Sequence, residues 1–193
     1  MNWMKMNKVG FNIINRYKYE LFIISSMIIV ALGIFHLIHC PLLIVYPFLF
    51  YSYTSDVLYI TYFFFIMFLY TFINGECPIS YLSKLIINKN YIAGDKITYY
   101  PEMKYIAINE KYTDSYFAIT TTFYILILWF VISRTNIPIY FLIPSFFVLC
   151  VYFLYIRNNI LKKTKYFLLI QEITKYILLL TIFILLSFLR LVV

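Results

Sequence analysis

The chain is predicted to be an all-α polytopic membrane protein with about five transmembrane helices, six being the alternative. Three observations predict this. Of 193 residues, 64% are hydrophobic and only 12% charged, whereas soluble domains carry roughly 45–50% apolar and about 25% charged residues. Mean hydropathy is +0.86. Long uncharged stretches alternate with short basic segments along the whole chain. These features exclude a water-soluble globule, a disordered chain, a collagen-like fibre and a disulfide-stapled module.

Residues 1–20 set Trp3, Met4, Met6, Val9 and Phe11 among lysines and asparagines. Such a segment suits a basic amphipathic helix in the bilayer interface, or a plain extension of the first span. The positive region is long and no small-residue cleavage site follows, so a secretory signal peptide is not expected. The membrane region 21–75 then opens with a span at residues 21–38, interrupted by His36. A second span at residues 57–73 lies between Asp56 and Asn74-Gly75-Glu76. Between them, residues 41–53 are apolar but too short for a perpendicular crossing, and Pro47 lies inside. That piece reads either as an extension of the second span or as a short sixth crossing. The second membrane region, 115–193, holds spans at residues 115–133, 137–156 and 166–189. The first of these ends at Arg134, the next carries Pro138 and Pro144, and the last carries Glu172 and Lys175 at i, i+3 spacing.

Charge favours five crossings. Lys5, Lys8, Arg16 and Lys18 precede the first span, Lys84, Lys89, Lys96, Lys104 and Lys111 follow the second, and Arg157, Lys162, Lys163 and Lys165 follow the fourth. With five crossings all three groups share one face, leaving Arg134 and Arg190 opposite, which satisfies the positive-inside rule and puts the N-terminus on the cytoplasmic-type face. The net charge of +8 is thus a topology signal rather than a nucleic-acid stripe. The bilayer is the expected partner, with protein partners or a second copy as further candidates and no nucleic acid. Ile, Tyr, Phe, Lys and Asn abound while Ala, Gly, Arg and Pro are scarce. That bias follows A/T-rich codons and points to a low-GC bacterium, a protist, an organelle or a large virus.

The polar loop 76–114 contains one helical pattern, 78–87, begun by Pro78 at a position that needs no N–H. Ile79, Leu82, Leu85 and Ile86 fall on one face and Ser80, Ser83, Lys84 and Asn88 on another, predicting an interfacial helix with its polar face in water. Ala93-Gly94-Asp95 reads as a turn. The loop is either a partner- or lipid-binding face or a solvated connector.

Ionisable groups at membrane depth are costly and mark candidate sites. His36 and His39 share a helical face with Cys40 beside them, and together could ligate a metal or move protons, or serve structure alone. Asp56 starts the second span and could join the histidines. Glu76 and Cys77 follow it. At a helix start the dipole favours a Cys77 thiolate, whereas Glu76 opposes it. The predicted threading puts the histidines and Cys77 at opposite ends of a span, about 25–30 Å apart. Glu172 and Lys175 form a candidate intramembrane pair, and Cys150 is expected to be a small apolar filler. No cofactor is expected. Phosphate-binding loops, HExxH, CxxC, GxSxG and GxxxG are all absent from the sequence.

The run Gly75-Glu76-Cys77-Pro78-Ile79-Ser80 after an apolar helix resembles a motif of small uncharacterised polytopic membrane proteins from bacteria and large DNA viruses. These carry Cys-Pro-Leu-Thr, commonly followed by Glu, at the end of a transmembrane helix. The resemblance covers residues 36–87. Ile79-Ser80 replaces Leu-Thr, and Lys84 stands near the family's usual Glu. It implies a membrane protein and draws attention to Cys77, without naming an activity. Linear spacing favours a non-enzymatic membrane component, with a small transporter or channel, or a membrane-embedded metal or thiol enzyme, as rivals.

Overall fold

A computed structural model describes residues 3–106, 108–157 and 164–190. Among these the secondary structure is entirely helical: α1 (Trp3–Leu49), α2 (Tyr53–Phe72), α3 (Pro78–Ile87), α4 (Pro101–Tyr105), α5 (Glu110–Arg134), α6 (Ile143–Arg157) and α7 (Tyr166–Arg190), with a 3-10 turn at Ile139–Phe141 before α6. Four helical stretches are long and apolar enough to cross a membrane: Tyr19–Leu49, Tyr53–Phe72, Tyr112–Arg134 and Tyr166–Leu189. Helix α6, expected to be a span, has 15 residues and rises about 22 Å, less than a hydrocarbon core of about 30 Å. Of the three basic groups, Lys162 and Lys163 lie outside the described residues.

The first correction concerns residues 41–53. They neither extend the second span nor make a sixth crossing: α1 runs unbroken through Pro41 and Pro47 to Leu49. A proline inside a helix withholds an N–H from the carbonyl four residues earlier. For Pro41 that carbonyl is Leu37, and Tyr116 Oη of α5 donates to it at 2.6 Å. For Pro47 it is Leu43, and Tyr59 Oη of α2 donates to it at 2.9 Å. Two phenols from neighbouring helices thus replace the two missing amide donors, the condition under which a membrane helix tolerates proline.

Ser52 ends the turn and begins α2 with a capping box shared with Ser55, satisfying first-turn amides that would otherwise be orphaned. Helix α2 packs chiefly on α7, which packs in turn on α6. Val57, Ile60, Phe64, Leu128, Leu149 and Leu178 form the apolar core of this bundle. At one end Arg134 holds Asp56, its Nε 2.7 Å from Oδ2, and also donates to the Pro47 carbonyl at 2.8 Å. Asp56 therefore ties α2 to α5 and does not join the histidines. At the other end α2 stops at Asn74 and Gly75, both left-handed with φ of 54° and 85°. A side chain at 75 would be strained there, and a Cβ would also collide with Ile156. Gln171 of α7 fastens this end by donating to Thr71 O at 2.8 Å and to Asn74 Oδ1 at 2.7 Å.

Candidate functional site

The left-handed turn releases the chain at Glu76 and Cys77, and α3 starts immediately. Cys77 is its N-cap and Pro78 its first residue. The helix has the predicted bounds but the opposite facing. Ser80, Ser83 and Lys84 are buried, whereas Leu82 and Ile87 are each 50% exposed. Ser80, Ser83 and Lys84 of the polar face turn inward, while Ile79, Leu85 and Ile86 of the apolar face are half-buried and Leu82 faces outward. Inversion of this kind suits an apolar surrounding, where lining a polar interior satisfies hydroxyls and ammonium that hydrocarbon could not.

Helix α3 and α4 both pack on α1, so the loop folds back over the helix that carries His36. Gly33 permits the approach. A Cβ there would stand 2.5 Å from the carbonyl oxygen of Glu102. One turn further, the buried His36 ring lies between two partners. Its Nε2 is 3.4 Å from Cys77 Sγ, and its Nδ1 is 3.0 Å from Glu102 Oε1. Ser80 Oγ donates to the same carboxylate oxygen at 2.5 Å. Phe117 and Tyr100 wall the imidazole, with ring centroids 4.5 and 6.4 Å away. His36 is 4% exposed, Glu102 0% and Cys77 9%.

The expected separation of the histidines from Cys77 is thereby overturned. Because α1 reaches Leu49 before turning, its apolar length extends well past residue 38, and His36 meets the far end of α2 instead of the near one. His39 is one turn away and bonds elsewhere, its Nε2 2.6 Å from Tyr62 Oη. No group of three His, Cys, Asp or Glu side chains among the described residues is placed to hold a metal ion. Sγ and Oε1 occupy opposite edges of the His36 ring, so the donors form a line rather than converge. Cys40, Cys77 and Cys150 are free thiols.

The line Cys77–His36–Glu102 has the order nucleophile, base, orienting carboxylate. A carboxylate on Nδ1 fixes the ring so that Nε2 faces the sulfur, whether as acceptor of the thiol proton or as partner of a thiolate. Burial alone would raise the Cys77 thiol. Its hydrogen bond to His36, the charge of His36 and the amides of Ser80 and Ile79 outweigh that and hold it below the usual thiol range. The helix dipole acts in the same direction.

Glu76 belongs to a second cluster. It is fully buried and pairs with Lys84 Nζ at 3.1 Å. The Tyr91 hydroxyl donates to the same Oε1, and Lys84 also donates to Lys96 O at 2.5 Å. This clasp draws residues 88–100 onto α3 and so supports the segment that delivers Glu102. Glu172 and Lys175 do pair, at 2.7 Å, but on the outer surface of α7. Glu102, Ser80 and Tyr91 are site residues that sequence reasoning missed. The one signal for Glu102 was a lone acid after Pro101 within an otherwise basic, aromatic stretch.

Of the sequence candidates, the fold thus unites His36 and Cys77, sets Glu76 and His39 alongside, and leaves Asp56, Cys40 and the Glu172–Lys175 pair out. No family model, curated protein or solved structure matches the chain.

Proposed function

We infer that the chain is a membrane-embedded thiol enzyme catalysing acyl transfer, with Cys77 as nucleophile, His36 as general base and acid, and Glu102 as the group that orients His36. The observation that carries this reading is the line of Sγ, imidazole and carboxylate at the start of α3. A metal site needs convergent donors, and a passive packing cluster needs no thiol opposed to an oriented ring. Amides of Ile79 and Ser80 near the sulfur favour its thiolate form. The non-enzymatic reading draws support from dispersed ionisable residues, and the grouping of His36, Cys77 and Glu102 favours an enzyme instead. The threading that suits this site has five crossings, with α6 and its preceding 3-10 turn as the fourth, and lysine-bearing loops on one cytoplasmic-type face. In that arrangement α3 lies within the interface at the lysine-bearing side. No cofactor is required by this chemistry.

The test is hydrolysis of p-nitrophenyl butanoate by detergent-purified protein. Cys77→Ala should abolish turnover, and His36→Asn should lower it about 10²–10⁴-fold, the usual worth of a positioned acid–base group. Turnover that persists in Cys77→Ala sinks the reading. Glu102→Gln preserves shape and a hydrogen bond, and should still reduce turnover at least about tenfold.

A further inference from the structure

A cavity of about 610 Å³ opens between α1, α2 and α7, within the roughly 300–1,000 Å³ range of ligand clefts. His39, Leu43 and Tyr46 of α1 line one wall at successive turns, and Leu58, Tyr62 and Phe65 of α2 line the other. The lining is almost wholly apolar. Leu58 and Phe65 are exposed, so the groove is open along the flank of two membrane-crossing helices. Its polar end is the His39–Tyr62 hydrogen bond. His39 lies one turn along α1 from His36. From His36 to Tyr46 the helix rises about 15 Å. The groove therefore starts one helical turn, about 5 Å of rise, from the histidine that faces the nucleophile and runs along the spans, as an acyl chain runs from its ester into hydrocarbon. An apolar groove on a bilayer-facing flank is bathed in such chains.

We propose that this groove receives the fatty-acyl chain of a bilayer glycerolipid ester and presents its carbonyl carbon to Cys77. The inference rests on the acyl-transfer reading above and names its substrate class. The Cys77 thiolate attacks the ester carbonyl, a C–S bond forms and the ester C–O bond breaks. The departing lysolipid oxygen takes the proton held on His36 Nε2. Water then gives a proton to His36 and attacks the thioester. A new C–O bond forms, the C–S bond breaks, and fatty acid leaves with the thiolate restored. Overall, ester plus water becomes acid plus alcohol, with no change of oxidation state.

Two measurements test it. Reconstituted in phosphatidylcholine–phosphatidylglycerol vesicles, the protein should release lysophospholipid and fatty acid in equal amounts, and Cys77→Ala should release neither. In detergent, Leu43→Trp and, from the opposite wall, Leu58→Trp should lower the palmitate-to-butanoate ratio of kcat/KM for p-nitrophenyl esters at least tenfold. Cys77-dependent butanoate turnover without lysophospholipid release, or with a ratio unmoved in both variants, overturns the groove while leaving the thiol site standing. Loss of butanoate turnover in the unaltered protein overturns both.

Discussion

The hydroxyl of Tyr116 donates to the carbonyl of Leu37 at 2.6 Å, and Leu37 is the residue whose helical partner would have been the missing N–H of Pro41. The same substitution of phenol for amide occurs between Tyr59 and Leu43 beneath Pro47. These bonds keep α1 continuous, and the continuity of α1 is what carries His36 to Cys77.

Tyr116→Phe should therefore strand the Leu37 carbonyl. Interhelical hydrogen bonds in membranes contribute about 0.6 kcal/mol on average and up to about 1.7, so a loss in that range is expected in thermal unfolding of the detergent-solubilised protein. Pro41→Ala restores an amide at that site. The double variant Tyr116→Phe with Pro41→Ala should recover most of the loss, and additive losses would show that the phenol does not serve this carbonyl.

Gly33 governs the approach of α4 to α1 without touching the reacting groups. Gly33→Ala should push Glu102 off His36 and lower p-nitrophenyl butanoate turnover at least about tenfold, since reactive geometry tolerates little displacement. Ala31→Leu, on the exposed face of the same turn, should leave turnover unchanged. Equal rates in the two variants would remove Gly33 from the account.

The Glu76–Lys84 clasp is a buried ion pair, and stripping one partner leaves an uncompensated charge. Lys84→Met should cost about 3–5 kcal/mol of stability. Adding Glu76→Gln should return much of it, because the orphaned charge is gone while the Tyr91 hydroxyl keeps an amide oxygen to donate to. If the double variant melts no higher than Lys84→Met, the pair is not what secures the loop.

Much of the architecture is legible in the residues, because hydropathy is a local quantity: the apolar stretches ending at Arg134 and Leu189 and the helix begun by Pro78 all fold near their expected bounds. The failures share one physical cause. Whether Pro41 breaks a helix depends on a phenol that reaches the Leu37 carbonyl from 79 positions away, and no local pattern contains that information. A first span that stops at residue 38 puts His36 at the end away from Cys77, whereas the continuous α1 brings the two together. Amphipathicity likewise fixes that α3 has two faces but not which one turns inward. The packing of α3 on its neighbours decides that, and Ser80 and Lys84 are interior residues. Glu102 reaches the site through the fold of a loop whose path is set by Gly33 and the Glu76 clasp, and neither is visible as a motif.

Whether His36 makes a reactive thiolate of Cys77 is read from the pH dependence of Cys77 alkylation by iodoacetamide in a Cys40→Ser, Cys150→Ser background. The folded thiol lies below its ordinary range, so labelling should rise with a midpoint below about pH 8.5, the value of a free cysteine. In His36→Asn the hydrogen bond and positive charge are lost, and only the Ser80 and Ile79 amides and the helix dipole still oppose burial, so the midpoint should move upward. Coincident midpoints in the two proteins would contradict the account.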